Sequence, residues 1–180
     1  MAKMTEIKQK ITIPDSVEIA IENNNLTAKG EKGSISRVFF HPKIDLKVNG
    51  KVVEIHCKNP RRKDRASAGT FAAHIKNMIK GVTVGFEYKM KTVFSHFPIK
   101  TFVEGNELVI QNFLGERSSR RVKIVEGVTV EAKGDDVTVR GIDKEKVGQT
   151  ATNIERATKI KHRDIRVFQD GIYLVSKGGK

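Results

Sequence analysis

The chain has 180 residues, enough for one ordinary domain or two small ones, and 38% of them are hydrophobic, in short patterned runs that favour a packed core over disorder. It holds no run of eighteen apolar residues to span a bilayer, its start MAKMTEIKQKITIP shows no secretory leader, and the single cysteine, Cys57, excludes an internal disulfide and a cysteine-based zinc cluster. Its 34 Lys and Arg against 21 Asp and Glu give +13, which points to an anionic partner.

In chain order, Val17, Ile19 and Ile21 alternate as a strand, and NNNLTAKGEKGSISRVF (23–39) reads as strand, glycine-containing turn, strand. KIDLKVNGKVVEI (43–55) is a second pair of alternating strands around Asn49-Gly50. The spacing of Ala68, Phe71, Ala72, Ile75, Met78 and Ile79 predicts a helix over roughly 60–80, opened by Asn59-Pro60 and stopped by Gly81. The same order then returns. GNELVIQNFLGERSSRRVKI (105–124) answers 23–39, and GVTVEAKGDDVTV (127–139) answers 43–55. A helix over roughly 144–160, capped by Asp143, turns Val147, Ala151, Ile154, Ala157 and Ile160 inward. The expected fold is α+β: two tandem duplicated units, each a small, mostly antiparallel β-sheet assembly packed on one α-helix, over 1–98 and 99–180 with a short linker around HFPIK.

Charge is distributed differently in the two repeats. Residues 1–98 carry 18 Lys and Arg against 9 Asp and Glu, widely spread, whereas 99–180 carry 16 against 12. Within the second repeat, GERSSRRVK (115–123) nets +3 and 156–166 nets +4, so the remainder is acidic. Clustered cations suit a phosphate backbone, because each phosphate contact releases counterions. The candidate phosphate-contacting residues are therefore Arg117, Arg120, Arg121 and Lys123, and then Arg156, Lys159, Lys161, Arg163 and Arg166. Arg156, Lys159 and Lys161 equally suit a helix C-terminus, where cations meet the dipole, so both roles stand for those three. A second group, Arg61, Arg62, Lys63 and Arg65, opens the first helix, where the dipole disfavours cations and a bound anion would explain them. A solvated basic loop explains that group as well.

Other chemistries find no support. GEKG (30–33) fits the GxxG of a KH domain, but strands flank it where helices should. With 6% aromatics and no Trp, base stacking has few platforms, so recognition by RNA shape and backbone is expected. No phosphate-binding loop or dinucleotide fingerprint occurs. The five histidines are scattered without acids or nucleophiles at useful spacing, so no catalytic residue, metal site or cofactor is expected. No helix joins a wide apolar face to a continuous basic one, so a membrane is not an expected partner. The lone cysteine suits a reducing, cytosolic setting.

The segment GTFAAHIKNMIKGVTVGFEYKMKTVFSHFPI (69–99) resembles the large-subunit ribosomal protein six family in its archaeal and eukaryotic form. KGEKGSISRVF (29–39), NFLGERSSRR (112–121) and VGQTATNIERATKIKHRDIRVFQDGIYL (147–174) carry the same resemblance, so it covers most of the chain. It implies a non-catalytic constituent of the large ribosomal subunit in the cytoplasm. That protein would bind rRNA mainly through its second repeat, near the sarcin–ricin hairpin and the region where translational GTPases dock. The RNA contacts that the resemblance implies fall at Arg117, Arg120, Arg121 and Lys123 and along Arg156, Lys159, Lys161, His162, Arg163 and Arg166. Its partners would be large-subunit rRNA and neighbouring large-subunit ribosomal proteins. The bacterial branch has a Gly- and Lys-rich loop where this chain has KHRDIRVFQDG, so contacts of that branch do not transfer residue by residue. The alternative is an accessory protein that binds a non-ribosomal nucleic acid, or an acidic protein.

Overall fold

The computed structural model describes residues 6–161 and 163–178, in two compact units, 1–84 and 85–180. In the first, the alternating runs become β1 (Glu6–Thr12), β2 (Glu18–Glu22), β3 (Asn25–Gly30), β4 (Gly33–Val38), β5 (Ile44–Asn49) and β6 (Val52–Lys58), followed by α1 (Arg62–Thr83). Two antiparallel three-stranded sheets result, in the orders β2-β3-β4 and β1-β6-β5. The period of two puts Leu26 and Ala28 of β3 and Val53, Ile55 and Cys57 of β6 fully inside. Against them α1 lays Ala68, Ala72, Ile75, Met78 and Val82, as its helical spacing requires. Phe71 is half-buried, with its ring edge-on to Phe39 at 5.0 Å.

The second unit holds β7 (Phe86–Val93), β8 (Lys100–Glu104), β9 (Glu107–Gln111), β10 (Arg120–Lys123), β11 (Val128–Lys133), β12 (Asp136–Gly141), α2 (Lys144–Ala157) and β13 (Gly171–Lys177). Its sheets run β10-β9-β8 and β11-β12-β7-β13. Val147, Ala151 and Ile154 of α2 pack into a core with Tyr88, Met90, Leu108, Ile110, Phe113, Val122 and Ile172. Asp143 caps α2 as expected, its carboxylate accepting from the Glu145 N–H at 2.8 Å.

The topology repeats. In each unit the opening strand, β1 or β7, pairs antiparallel with the strand just before the helix, β6 or β12. A three-stranded meander intervenes in both. This changes the seam expected at 98/99. Residues 86–93, adjacent in sequence to the first helix, form the central strand of the second unit's four-stranded sheet, so the division falls at 84/85. The helix limits shift as well. Arg61, not Asn59, is the N-cap of α1, and Gly81 is buried inside the helix rather than ending it. The chain leaves α1 through Gly85, whose φ of 78° is the left-handed exit that glycine permits.

Candidate nucleic-acid interface

In β10, Val122 points into the core, so a two-residue period sends Arg120 to the same face and Arg121 and Lys123 to the other. Arg120 is half-buried and fully engaged. Its Nε and Nη2 grip the two carboxylate oxygens of Glu116 at 2.8 and 2.5 Å, and its Nη1 donates to the Ala157 carbonyl at 2.6 Å. Its Cζ lies 4.1 Å from the centroid of the Phe113 ring. The hydrogen bonds from Arg120 hold the Glu116 carboxyl below its ordinary range against the opposing effect of burial, and the nearby Arg163 charge assists. Ala157 is the last residue of α2, so Arg120 supplies a cation and a donor to carbonyls that a helix end leaves unpaired.

The turn before β10 carries Arg117, Ser118 and Ser119, all exposed. It leaves β9 through Asn112, Leu114 and Gly115, each at positive φ, and the Asn112 side chain ties it to the Pro98 carbonyl at 3.1 Å. Leu114 at φ 53° is a strained conformation for a branched residue, held by the packing of Phe113 beside it. Arg121 is exposed but paired, with Nη1 3.1 Å from Glu104 and 3.3 Å from Glu107.

Past α2, residues 158–161 and 163–170 form neither helix nor strand and carry Lys159, Lys161, Arg163 and Arg166, all exposed; His162 lies outside the described residues. The Asp164 carboxylate accepts from the Arg166 N–H at 2.9 Å, and its carbonyl accepts from the N–H groups of Val167 and Phe168. The Arg163 guanidinium sits 4.8 Å from the Phe168 ring centroid. The apolar residues of this loop do not return to the core as a group: Ile165 is 70% exposed and Val167 61%. Only Phe168 is half-buried.

Arg61, Arg62, Lys63 and Arg65 are exposed around the start of α1. The anion expected there is already part of the chain. Asp64, in the first turn, accepts from the Arg61 N–H at 2.8 Å and lies 3.5 Å from Lys43 and 3.9 Å from His41. The Arg61 N–H bond chiefly, with Lys43 and His41 helping, draws the Asp64 carboxyl down. Arg61 cannot return the bond, because a guanidinium has no acceptor. The dipole therefore gives no reason for a phosphate at this helix end.

A contrast in pairing separates the remaining cations. Arg140 bonds Glu87 and Glu131, Lys10 bonds Glu54, and Lys89 bonds Glu87. Among the described residues, Arg117, Lys123, Arg156, Lys159, Lys161 and Arg166 have no carboxylate within ion-pair distance. Composition gave no hint of three further participants: Glu116 and Phe113, which position Arg120, and Phe168, which stacks on Arg163. Glu116 stands four residues before Arg120, and Phe168 closes a basic run, which were the available signals.

The duplicated α+β units, with exposed cations clustered around β10 and after α2 in the second, define a basic fold suited to an anionic partner such as RNA. A sequence model described as ribosomal protein L6 matches residues 13–85 and 97–171, one match in each unit. The chain is 52% identical over 177 residues to the large ribosomal subunit protein uL6 of Methanobrevibacter smithii, covering 98% of this chain and 99% of that one. The chain belongs to the ribosomal protein L6 family. It is accordingly a structural, non-enzymatic constituent of the large subunit of the cytoplasmic ribosome, with rRNA and ribosomal proteins as its partners.

Proposed function

We propose that the chain braces large-subunit rRNA through its second unit, near the sarcin–ricin hairpin and the region where translational GTPases dock. Arg117 and Lys123 would contact phosphates from one side, and Arg156, Lys159, Lys161, Arg163 and Arg166 from the loop after α2. His162 belongs to the same proposed set. Arg120 acts as a positioning residue, and Arg121 as a contact weakened by Glu104 and Glu107. Arg61, Arg62, Lys63 and Arg65 would add a sequence-independent contribution from the first unit.

One observation carries the assignment. Arg120 already serves the C-terminal carbonyls of α2, so the neighbouring cations are not required there, yet they lack carboxylate partners among the described residues. Holding several unpaired like charges together is unfavourable unless a polyanion neutralises them.

The test is equilibrium binding of the whole protein to an rRNA fragment carrying the sarcin–ricin region, across a salt series, with a shuffled RNA of equal length as competitor. Preference for the ribosomal fragment with a steep salt slope supports the assignment. Equal affinity for both RNAs reduces the chain to a generic basic binder and overturns the placement.

A further inference from the structure

Beside the unpaired cations lies a groove of about 480 Å³, whose wall includes Arg156, Lys159, Ile160, Ile165, Phe168 and Tyr173. We propose that it receives one unstacked RNA base, so that this face reads a nucleobase as well as phosphates. The inference rests on the RNA-binding assignment above and gives one site within it a specific occupant.

The volume lies within the range of small-ligand sites, which take up most of a ligand's surface by apolar and aromatic contact with a few placed polar groups. Two rings of the apolar wall are held in position. Phe168 is backed by the Arg163 guanidinium at 4.8 Å and faces the His96 ring at 5.9 Å with an interplanar angle of 42°. The Tyr173 hydroxyl donates to the Gln169 carbonyl at 3.1 Å, which fixes that ring's edge. The Thr158 hydroxyl accepts from the Ile172 N–H at 3.1 Å and donates to the Glu155 carbonyl at 3.1 Å, tying the end of α2 to β13 along the groove floor.

Charge selects the class of occupant. An apolar protein side chain would gain from Ile165, Phe168 and Tyr173 but nothing from Arg156 and Lys159, which share the wall. A bare phosphate would meet the cations but leave the apolar surface wet and face the Glu155 carboxylate, also on the wall. A nucleotide satisfies all three. Its phosphate takes the cations, its flat ring covers the apolar face, and an exocyclic amino group can donate to Glu155. Low aromatic content thus hid a stacking site made from few residues.

The chain has two tyrosines and no tryptophan, and Tyr88 is buried at 6% exposure while Tyr173 is 43% exposed. A Tyr88→Phe background therefore leaves Tyr173 emission as a reporter of the groove. The probes are a single-stranded oligoribonucleotide of mixed sequence and an abasic strand of the same length and charge. We expect the base-bearing strand to quench Tyr173 and to bind roughly fivefold to a hundredfold tighter than the abasic strand, the range that one stacked base supplies. Phe168→Leu should shrink that ratio, and Phe168→Tyr should preserve it. Ile165→Gln, at a site too exposed to disturb the fold, should shrink it as well. Equal affinity for the two strands, or a ratio untouched by Phe168→Leu and Ile165→Gln, overturns the inference. So does quenching by an acidic peptide with aromatic residues but not by RNA, which would assign the groove to a protein tail. A ribosomal fragment preferred over shuffled RNA, with no base dependence here, would sink this site alone and leave the rRNA assignment standing.

Discussion

Arg120 and Ala157 are joined by a 2.6 Å hydrogen bond from the arginine Nη1 to the last carbonyl of α2. The first unit has a counterpart. In the turn between β3 and β4, the Lys32 N–H donates to the Val82 carbonyl at 3.0 Å and its Nζ to the Val84 carbonyl, at the end of α1. Each meander thus reaches over to cap its own unit's helix with a basic residue, which gives the GEKG segment a structural task in place of RNA binding.

Substituting Arg120 should therefore cost stability before it costs binding. Arg120→Gln breaks the fork to Glu116, the bond to Ala157 and the stack on Phe113, and it leaves a partly buried carboxylate without its partner. Bonds to charged groups of this kind contribute about 1.5–3 kcal/mol, so we expect the urea midpoint to fall by an amount worth about 2–3 kcal/mol. Arg117→Gln and Arg166→Gln, both exposed, should change stability by less than about 0.5 kcal/mol. A neutral Arg120→Gln would remove the capping role. A combined substitution meant to spare the fold should thus omit Arg120.

The same pair sets a pH dependence. Glu116 has its carboxyl lowered in the folded state, mainly by Arg120, so its contribution is present above the ordinary carboxylate value of about 4.3 and is lost as pH falls through the lowered value. Urea midpoints measured downward from neutral pH should drop in that acidic range. Glu116→Gln should begin lower at neutral pH and show a shallower drop. Parallel curves for the two proteins would show that Glu116 does not supply the acid sensitivity.

How far the fold was legible depended on whether its contacts were local. The duplication, the hairpins and the Asp143 cap follow from spacing over a few residues, and they stand, as do the inward faces of the helices except at Ile160, which lies past the end of α2 at Ala157. β7 was readable as a strand but not assignable to a unit, because its partners β12 and β13 lie far along the chain and alternation does not encode which sheet a strand joins. Arg120 was within reach, since two residues before an inward Val122 shares its face, but alternation alone does not say whether Arg120 belongs to the strand or to the turn before it. Ile165 and Val167 mark the opposite limit, since apolar chemistry alone does not distinguish a core residue from an exposed one.

Arg117 and Arg121 should differ in RNA binding although their charge is the same. Arg117 has no ion-pair partner among the described residues, whereas Arg121 is held by Glu104 and Glu107, whose bonds and charges raise its affinity for its proton. Arg117→Gln should reduce the magnitude of the salt slope by roughly 0.7–0.9, the value for one phosphate contact. Arg121→Gln should leave the slope nearly unchanged. Equal losses of slope would mean that the acids release Arg121 when RNA arrives.

The helices offer a test of packing that bypasses RNA. A Cβ built on Gly30 would lie 2.8 Å from the Val82 carbonyl oxygen and 2.9 Å from the Val82 Cγ2, closer than atoms pack, because the β3–β4 turn is pressed against the end of α1 to deliver Lys32. Gly30→Ala must push the turn away or bend the helix end, and overpacking of this sort costs about 1–3 kcal/mol. Gly69, in the exposed interior of α1, has nothing within 4 Å of such a Cβ. Gly69→Ala should therefore stabilise α1 by about 0.5–1 kcal/mol through helix propensity alone. Chemical unfolding followed by helical circular dichroism should place the two variants on opposite sides of the parent. A Gly30→Ala protein as stable as the parent would mean that the turn can retreat without losing its cap. The capping bond from Lys32 would then be incidental to the fold of the first unit.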